Sequence, residues 1–233
     1  MTLVERDIRR VRGLEIGDQA FVVAALERPG HQAAAESGDK NAQFELAISL
    51  LSKAAAQDER TEAIHWLQKA AEQDHPDALY ALGSIYLKGK YIKKDILRAV
   101  VYYDKSAELG NSNALEMLGV LYYQGNEIKR NFNKSLLYFK KAASLGNVNA
   151  YNYLGIMYML GYGTGIDKKE GFDQFMMAAK KRNKDGEYNT GRNYEYGNGV
   201  DVNKEKAKHW YNLAAQKGHP DAKKHLIQLN RSY

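Results

Sequence analysis

Six histidines are the side chains of this sequence that most invite a chemical role. Histidine binds metals and transfers protons near neutral pH, usually within a cluster of other polar ligands. Here four of them fall in equivalent pairs of a repeated pattern: His65 with His209, and His75 with His219. Equivalent positions of a repeat do not converge, while His31 and His225 stand alone. The sequence therefore predicts neither a metal site nor a cofactor.

The glycine-rich segment 161–165, GYGTG, is a second chemical candidate. Phosphate-binding loops combine such glycines with a following Gly-Lys-Ser/Thr, whose lysine reaches the phosphates. This segment follows a helical pattern, lacks that lysine and precedes Asp167, so we predict a loop between two helices. No Ser-His-Asp arrangement can be assembled, and the chain contains no Cys. The sequence therefore predicts that the protein is not an enzyme.

Basic residues recur in successive loops, with tyrosines nearby: Lys90, Lys93, Lys94, Lys129, Arg130, Lys168, Lys169, Lys204 and Lys206. Such loops could bind the phosphates of a nucleic acid. Lysine predominates over arginine, which disfavours base-specific recognition, and loops that begin helices are commonly charged and solvated. Nucleic-acid binding is therefore the outside alternative.

Charge is unevenly divided along the 233 residues. Residues 1–77 contain nine Lys/Arg and 14 Asp/Glu, whereas residues 78–233 contain 25 and 14. This polarity would steer an acidic partner to the C-terminal half, or it is solvated surface. The N-terminal stretch is interrupted by charges and predicts no membrane insertion. We expect a soluble protein. Its sequence does not decide the compartment, which is either the cytoplasm or, if a leader was removed, the periplasm.

A 36-residue repeat organises all of these residues. Its marker is a small residue at constant spacing: Ala42, Ala78, Ala114, Ala150, Gly186 and Ala222. Two further series keep the register, the glycines Gly83, Gly119, Gly155 and Gly191 and the tyrosines Tyr86, Tyr122, Tyr158 and Tyr194. The periodicity predicts an N-terminal helical cap with a partial repeat, five units and a C-terminal capping helix. Their bounds are 1–41, then 42–77, 78–113, 114–149, 150–185 and 186–221, then 222–233.

Each unit is predicted to form two helices, A and B, because glycine stops occur twice per repeat. The expected A-helix N-caps are Asn41, Asp77, Asn113, Asn149, Asp185 and Asp221. Helix A is expected to end at Gly89, Gly125, Gly161 and Gly197. Helix B is expected to begin near Asp95, Asn131, Asp167 and Asn203 and to end at Gly110, Gly146 and Gly218. The aromatic filler between the helices is expected at Trp66, Tyr102, Tyr138 and Trp210, with Gln174 at the same place. One hairpin cannot bury both of its faces, so neighbouring hairpins must stack.

Units such as ALYALGSIYLKGKYIKKDILRAVVYYDKSAELGNSNA resemble Sel1-like repeats, which are related to tetratricopeptide repeats, over about residues 34–229. The resemblance implies an all-α, right-handed superhelix, or solenoid, that serves as a scaffold or adaptor for a protein or peptide partner. Family roles include quality control, bacterial signalling, host contact and immunity against toxins. An immunity or inhibitor protein that occludes a toxin is therefore the alternative, and the oligomeric state stays open.

The side of the A helices opposite the marker residues is unexpectedly apolar and aromatic. Its candidate partner-binding residues are Tyr80, Leu87, Val120, Tyr123, Ile156, Met159, Tyr188 and Tyr196. By family analogy this side lines a concave groove, where aromatic anchors would bind a partner. Alternatively, the same residues pack between adjacent A helices. In the first 36-residue repeat, the equivalent positions are Phe44, Ile48 and Leu51. A segment with Phe21, Val22 and Leu26 is expected to cover them.

Overall fold

A computed structural model of the chain describes residues 31–53 and 57–231, and every regular element in them is an α-helix. The helices are α1 His31–Glu36, α2 Lys40–Lys53, α3 Gln57–Glu72, α4 Pro76–Lys88, α5 Ile96–Glu108, α6 Ser112–Gln124, α7 Phe132–Ser144, α8 Val148–Leu160, α9 Lys168–Lys180, α10 Lys184–Tyr196, α11 Lys204–Gln216 and α12 Ala222–Arg231. The all-α prediction is confirmed. The proposed cap residues Phe21, Val22 and Leu26 lie outside the described residues.

The chain divides into two compact units, residues 1–114 and 115–233. In the first unit each helix from α1 to α4 packs against the helix that follows it. In the second unit each helix from α7 to α11 does the same. Each unit is thus built from tandem helical hairpins whose sequential neighbours are also neighbours in space.

Most predicted helix ends are confirmed. Gly89, Gly161 and Gly197 end the A helices α4, α8 and α10 with left-handed φ angles of 65°, 70° and 70°. Glycine reaches this conformation without the steric cost that a Cβ imposes. The B helices begin after Asp95, Asn131, Asp167 and Asn203, whose side chains each accept from the backbone N–H three residues on.

The predicted A-helix N-caps are wrong by two residues. Helices α4, α8 and α10 are capped by His75, Asn147 and Asn183, which accept from the N–H of Ala78, Ala150 and Gly186. An N-cap side chain bonds the third residue of the helix, so each marker residue is that third residue. Asp77, Asn149 and Asp185 instead lie within the first turn.

These first-turn residues join consecutive hairpins. Asp77 accepts a hydrogen bond from Asn111 at 2.8 Å, and Asn149 accepts one from Asn183 at 3.0 Å. In each pair the donor's side-chain Oδ1 also accepts a hydrogen bond from a backbone N–H of the next A helix, that of Ala114 or Gly186, and so caps that helix. In the second unit, the Asn149–Asn183 hydrogen bond therefore helps to fix how the α8–α9 hairpin stacks on the α10–α11 hairpin.

Glycine and an aromatic ring form the wedge inside each hairpin. A Cβ built on Gly83, Gly155 or Gly191 would lie 2.8, 2.6 and 2.9 Å from the rings of Tyr103, Phe175 and Tyr211. The predicted filler is therefore off by one residue. Tyr102 and Tyr138 instead stack on Tyr86 and Tyr122 at the hairpin surface, with centroids 5.5 and 5.7 Å apart. Two consecutive residues of a helix point in different directions, so they cannot both be fully buried against the same neighbouring helix. In each hairpin the second of the two residues has the ring that faces the glycine.

Candidate functional site

The structure places the eight candidate residues of the A helices in three different environments. In the first unit, Tyr80 and Leu87 of α4 are half-buried. The ring of Tyr80 lies 5.7 Å from that of Tyr103, so one edge of it belongs to the hairpin core. Both side chains keep part of their surface in contact with solvent.

Three of the candidates in the second unit are buried: Tyr123, Ile156 and Tyr188. Tyr123 joins an aromatic cluster with Phe132 and Tyr162, whose own two rings stack at 4.3 Å. Tyr188 stacks on His219 at 4.0 Å. These three side chains are therefore packed against neighbouring residues, as the second interpretation of the apolar face expects. They lie beneath the exposed surface.

The remaining candidates of the second unit reach solvent. Val120 and Met159 are half-buried, and Met159 packs close to Gly171 of α9. Tyr196, the last residue of α10, exposes 54 % of its surface.

Sequence reasoning missed a polar core beneath this face. Glu187, Asn189, Thr190 and Asn193 of α10 are all buried. Asn189 donates to Asn152 at 2.8 Å, and Asn193 donates to the Asn189 carbonyl at 2.7 Å. The signal was present in the segment GEYNTGRNY, where polar residues occupy register positions that α4, α6 and α8 fill with Leu, Ile, Met, Ala or Tyr.

Glu187 is an almost fully buried carboxylate. Its Oε1 forms an ion pair with the ammonium group of Lys217. Its Oε2 and the hydroxyl of Thr190 are buried without a hydrogen-bond partner in the described structure. A buried carboxylate is costly unless a cation compensates it, so Lys217 is essential to this arrangement.

A second polar cluster attaches the last helix, α12. Glu195 accepts from the Tyr211 hydroxyl at 2.5 Å and lies 3.1 Å from Nδ1 of His225. Nε2 of His225 lies 3.1 Å from the Tyr188 hydroxyl. This is the order of groups in a proton relay, but Tyr188 is buried and offers no accessible nucleophile. The cluster docks α12, and the prediction that His225 stands alone is wrong.

The basic loops considered for nucleic acid are largely engaged within the chain. The Arg130 guanidinium donates to the Gln124 carbonyl at 2.9 Å, and Lys169 pairs with Asp173 at 2.8 Å. Lys206 lies over the ring of Tyr194 at 5.2 Å. These contacts give several of the loop cations a role in holding helix ends.

Among the residues that the structure describes, no three His, Asp or Glu side chains converge in an arrangement that could hold a metal ion. None of their helices combines the length and apolar character needed to cross a bilayer.

Comparison with known proteins gives one consistent result. The family model described as Sel1 repeat matches residues 37–59, 42–75, 76–111, 112–147, 148–173 and 184–219. A Sel1 repeat protein from Oxalobacter formigenes has a similar structure, with 27 % identity, a TM-score of 0.77, and coverage of 84 % of this chain and 80 % of that one.

Two other similar proteins carry less weight. An immunity protein from Pseudomonas aeruginosa is 24 % identical with a TM-score of 0.52, over 78 % of this chain and 66 % of that one, which shows a shared fold. An uncharacterized protein from Neisseria meningitidis serogroup B is 41 % identical over 64 residues. That match spans 28 % of this chain and 13 % of the relative.

Proposed function

Because the chain belongs to the Sel1 repeat family, whose members in general are protein-interaction scaffolds, we propose that it binds a protein or peptide partner through the A-helix face of its second unit. The proposed contacts are Val120, Met159 and Tyr196. On the first unit, Tyr80 and Leu87 of α4 are at the register positions of Tyr188 and Met159. Tyr123, Ile156 and Tyr188 support the surface without meeting the partner.

The exposed ring of Tyr196 is the observation that carries this proposal. Tyrosine combines a large apolar surface with one hydroxyl group, and it is enriched among the residues that dominate binding energy. The same register position holds Lys88 in α4, Gln124 in α6 and Leu160 in α8, so an aromatic ring at this position is particular to α10.

Photo-crosslinking tests the proposal. A photoreactive phenylalanine analogue is placed at Tyr196 and, as a matched control, at Leu97, which is exposed on α5 of the first unit. Position 196 should crosslink to a protein partner and position 97 should not. Tyr196→Ala should weaken binding of that partner about tenfold while the melting temperature stays within about 2 °C. Equal crosslinking at both positions, or unchanged binding by the alanine variant, contradicts the proposal.

An immunity protein that occludes a bacterial toxin is the narrower alternative. The similar protein from Pseudomonas aeruginosa is described as an immunity protein, and its likeness to this chain lies in the fold. Inhibition of a secreted toxin's activity by the purified chain, lost in Tyr196→Ala, would select this alternative over a general scaffold.

A further inference from the structure

A second surface of the second unit combines exposed cations with exposed apolar side chains. It lies on the B helices α7 and α9, and we call it the α7–α9 surface. Its residues are Leu137, Lys140, Lys141, Leu145, Met177, Lys180 and Lys181. Leu137 and Leu145 each expose 52 % of their surface and Met177 exposes 40 %, while all four lysines are exposed.

Helix α7 and the C-terminal half of α9 carry charge of one sign, while the acidic residues of α9, Glu170 and Asp173, lie in its first two turns, where Asp173 pairs with Lys169. Residues 132–146 contain three lysines and no Asp or Glu, and residues 174–184 contain three lysines, one arginine and no Asp or Glu. Within the described ranges, no salt bridge joins Lys140, Lys141, Lys180 or Lys181 to a carboxylate. No carboxylate therefore neutralises these four cations in the described structure, in contrast to Lys169, which pairs with Asp173.

Contacts at both ends of α7 connect it, through Tyr151 of α8 and Tyr162 of the α8–α9 loop, to the residues that flank α9. At the C-terminal end, the Tyr151 hydroxyl donates to the carbonyl of Ala143 at 3.0 Å, and the Lys181 ammonium lies 6.0 Å from the centre of the same ring. At the N-terminal end, Phe132 stacks on Tyr162, which belongs to the loop that leads into α9. The C-terminal ends of α7 and α9 therefore both approach Tyr151 of α8, and the exposed residues at these ends contribute to one surface.

The corresponding helix of the first unit shows that the charge is a local property. Helix α5 also exposes apolar side chains, at Leu97, Val101 and Leu109. Residues 96–110, however, carry Arg98 and Lys105 against Asp104 and Glu108, so this segment is neutral. The apolar stripe recurs in both units, whereas the uncompensated cations belong to the second.

We infer that the α7–α9 surface binds an acidic, amphipathic segment of a partner protein, separately from the A-helix face. Carboxylates of such a segment would lie against the lysines, while its apolar side chains would cover Leu137, Leu145 and Met177. A nucleic acid would use the cations but not the aliphatic side chains. A membrane surface would favour exposed aromatic residues, whereas the exposed apolar residues of this surface are Leu and Met.

Fluorescence anisotropy with synthetic probes tests this inference on the full chain. The main probe is a labelled helical peptide of about 16 residues with a repeating Glu-Glu-Leu-Leu pattern, long enough to cover helices of this length. Its controls replace every Leu by Ser or every Glu by Lys. At about 0.15 M salt the first peptide should bind, the serine version about tenfold more weakly, and the lysine version not detectably.

Substitutions locate the binding. Lys140→Glu with Lys141→Glu should weaken the acidic probe about tenfold or more, and Leu137→Ser about threefold. The matched control, Lys105→Glu with Leu97→Ser on α5, should stay within about twofold, and circular dichroism should show that all variants fold. Tyr196→Ala should leave probe binding unchanged, which separates this surface from the A-helix face.

Other outcomes overturn the inference. Equal binding of the leucine and serine peptides would mean that the apolar side chains take no part. Tighter binding of an oligonucleotide, or of vesicles containing about 30 % phosphatidylserine, would assign the surface to phosphates or to an anionic bilayer. Equal loss in the α5 variant would show that the effect is non-specific.

Discussion

Helices α4 and α10 occupy the same place in the repeat and share the same spacing of glycines, aromatic rings and caps, which we call the frame of the repeat. Their cores nevertheless differ. Both contain Tyr, Gly and Tyr at matching positions, in LYALGSIY and in EYNTGRNY. At one register position α4 has Leu79, 2 % exposed, and α10 has Glu187, 1 % exposed. The frame of glycines, rings and caps therefore sets the hairpin, while the chemistry of the buried positions between them varies.

This difference indicates where the molecule is specialised. A polar core costs stability unless each group is paired, and Glu187 and Thr190 each leave a buried oxygen unpartnered. Natural sequences depart from local packing rules mostly at functional or strained sites. Helix α10 also ends in the exposed Tyr196. We therefore expect α10 to be the less stable and the functional member of the pair.

The largest predicted effect comes from giving α4 the carboxylate of α10. Leu79→Glu should cost about 4 kcal/mol of unfolding free energy, because the carboxylate is buried without a cation. Denaturant unfolding measures it, with the first unit reported by Trp66 in a Trp210→Phe background. The register equivalent of Lys217 is Leu109, so adding Leu109→Lys should recover part of the loss. A neutral effect of Leu79→Glu would break the comparison.

The reverse exchange is predicted to be smaller. Lys217→Met should destabilise the second unit by about 3 kcal/mol, because it leaves Glu187 unpaired. Glu187→Leu combined with Lys217→Met should restore or exceed the original stability, since an apolar pair replaces a buried ion pair. Trp210 in a Trp66→Phe background reports this unit. If the double variant is as unstable as the single one, burial of the carboxylate is not the cause.

Substitution of the glycine that faces the buried ring should lower the stability of both units equally. Gly83→Val and Gly191→Val each force a side chain against a buried ring, Tyr103 or Tyr211, and should cost about 2–3 kcal/mol. The same single-tryptophan backgrounds measure the two losses. A loss confined to one unit would mean that the wedge is not a common element of the repeat.

The first unit should lose stability in acid because of His75. Burial lowers the pKa of His75 below its ordinary value, and its Nδ1 accepts from the Ala78 N–H to cap α4. The unfolded chain binds the proton more readily, so stability falls as the pH decreases through about 6.5 toward the folded pKa. His75→Asn should remove this dependence while keeping the cap, as Asn147 does for α8. At neutral pH the His75→Asn variant should lose no more than about 1 kcal/mol of unfolding free energy.

The second unit should show the opposite trend through Glu116. Burial raises the pKa of Glu116, although Asn147 donates to it at 2.7 Å. The folded chain then binds the proton more readily, so stability falls as the pH rises above about 4.5 through the folded pKa. Glu116→Gln should flatten this limb in denaturant titrations at several pH values. An unchanged slope would show that Glu116 does not titrate differently on folding.

Sequence reasoning was accurate where one residue type has one physical role. Glycine at left-handed positions and Asx before the B helices predicted those helix ends correctly. The A-helix caps were misplaced because two polar residues precede each marker, and only the hydrogen-bond reach of the side chain decides between them. At the site, hydrophobic periodicity identified the A-helix face but not which side chains a neighbouring helix covers. It could not place Glu187 or Asn189 inside, because their burial depends on partners 30 and 37 residues away.

Helix α9 and its following turn illustrate the same limit. Arg182 takes a left-handed φ of 63° at the place where Gly146 and Gly218 stand in neighbouring hairpins. The family match stops at residue 173 and resumes at 184, whereas α9 continues to Lys180 and α10 begins at the regular spacing. Packing in the second unit thus maintains the hairpin where the sequence pattern fades.

Hydrogen–deuterium exchange of the full chain, alone and with the protein captured by crosslinking at position 196, tests the role of α10 most directly. Amides of α10 should exchange faster than those of α4 in the free chain, because a polar core opens at lower free energy. Partner binding should slow exchange in α10 and leave α4 unchanged. Equal exchange of the two helices in the free chain, or protection confined to α4 in the complex, would contradict the account.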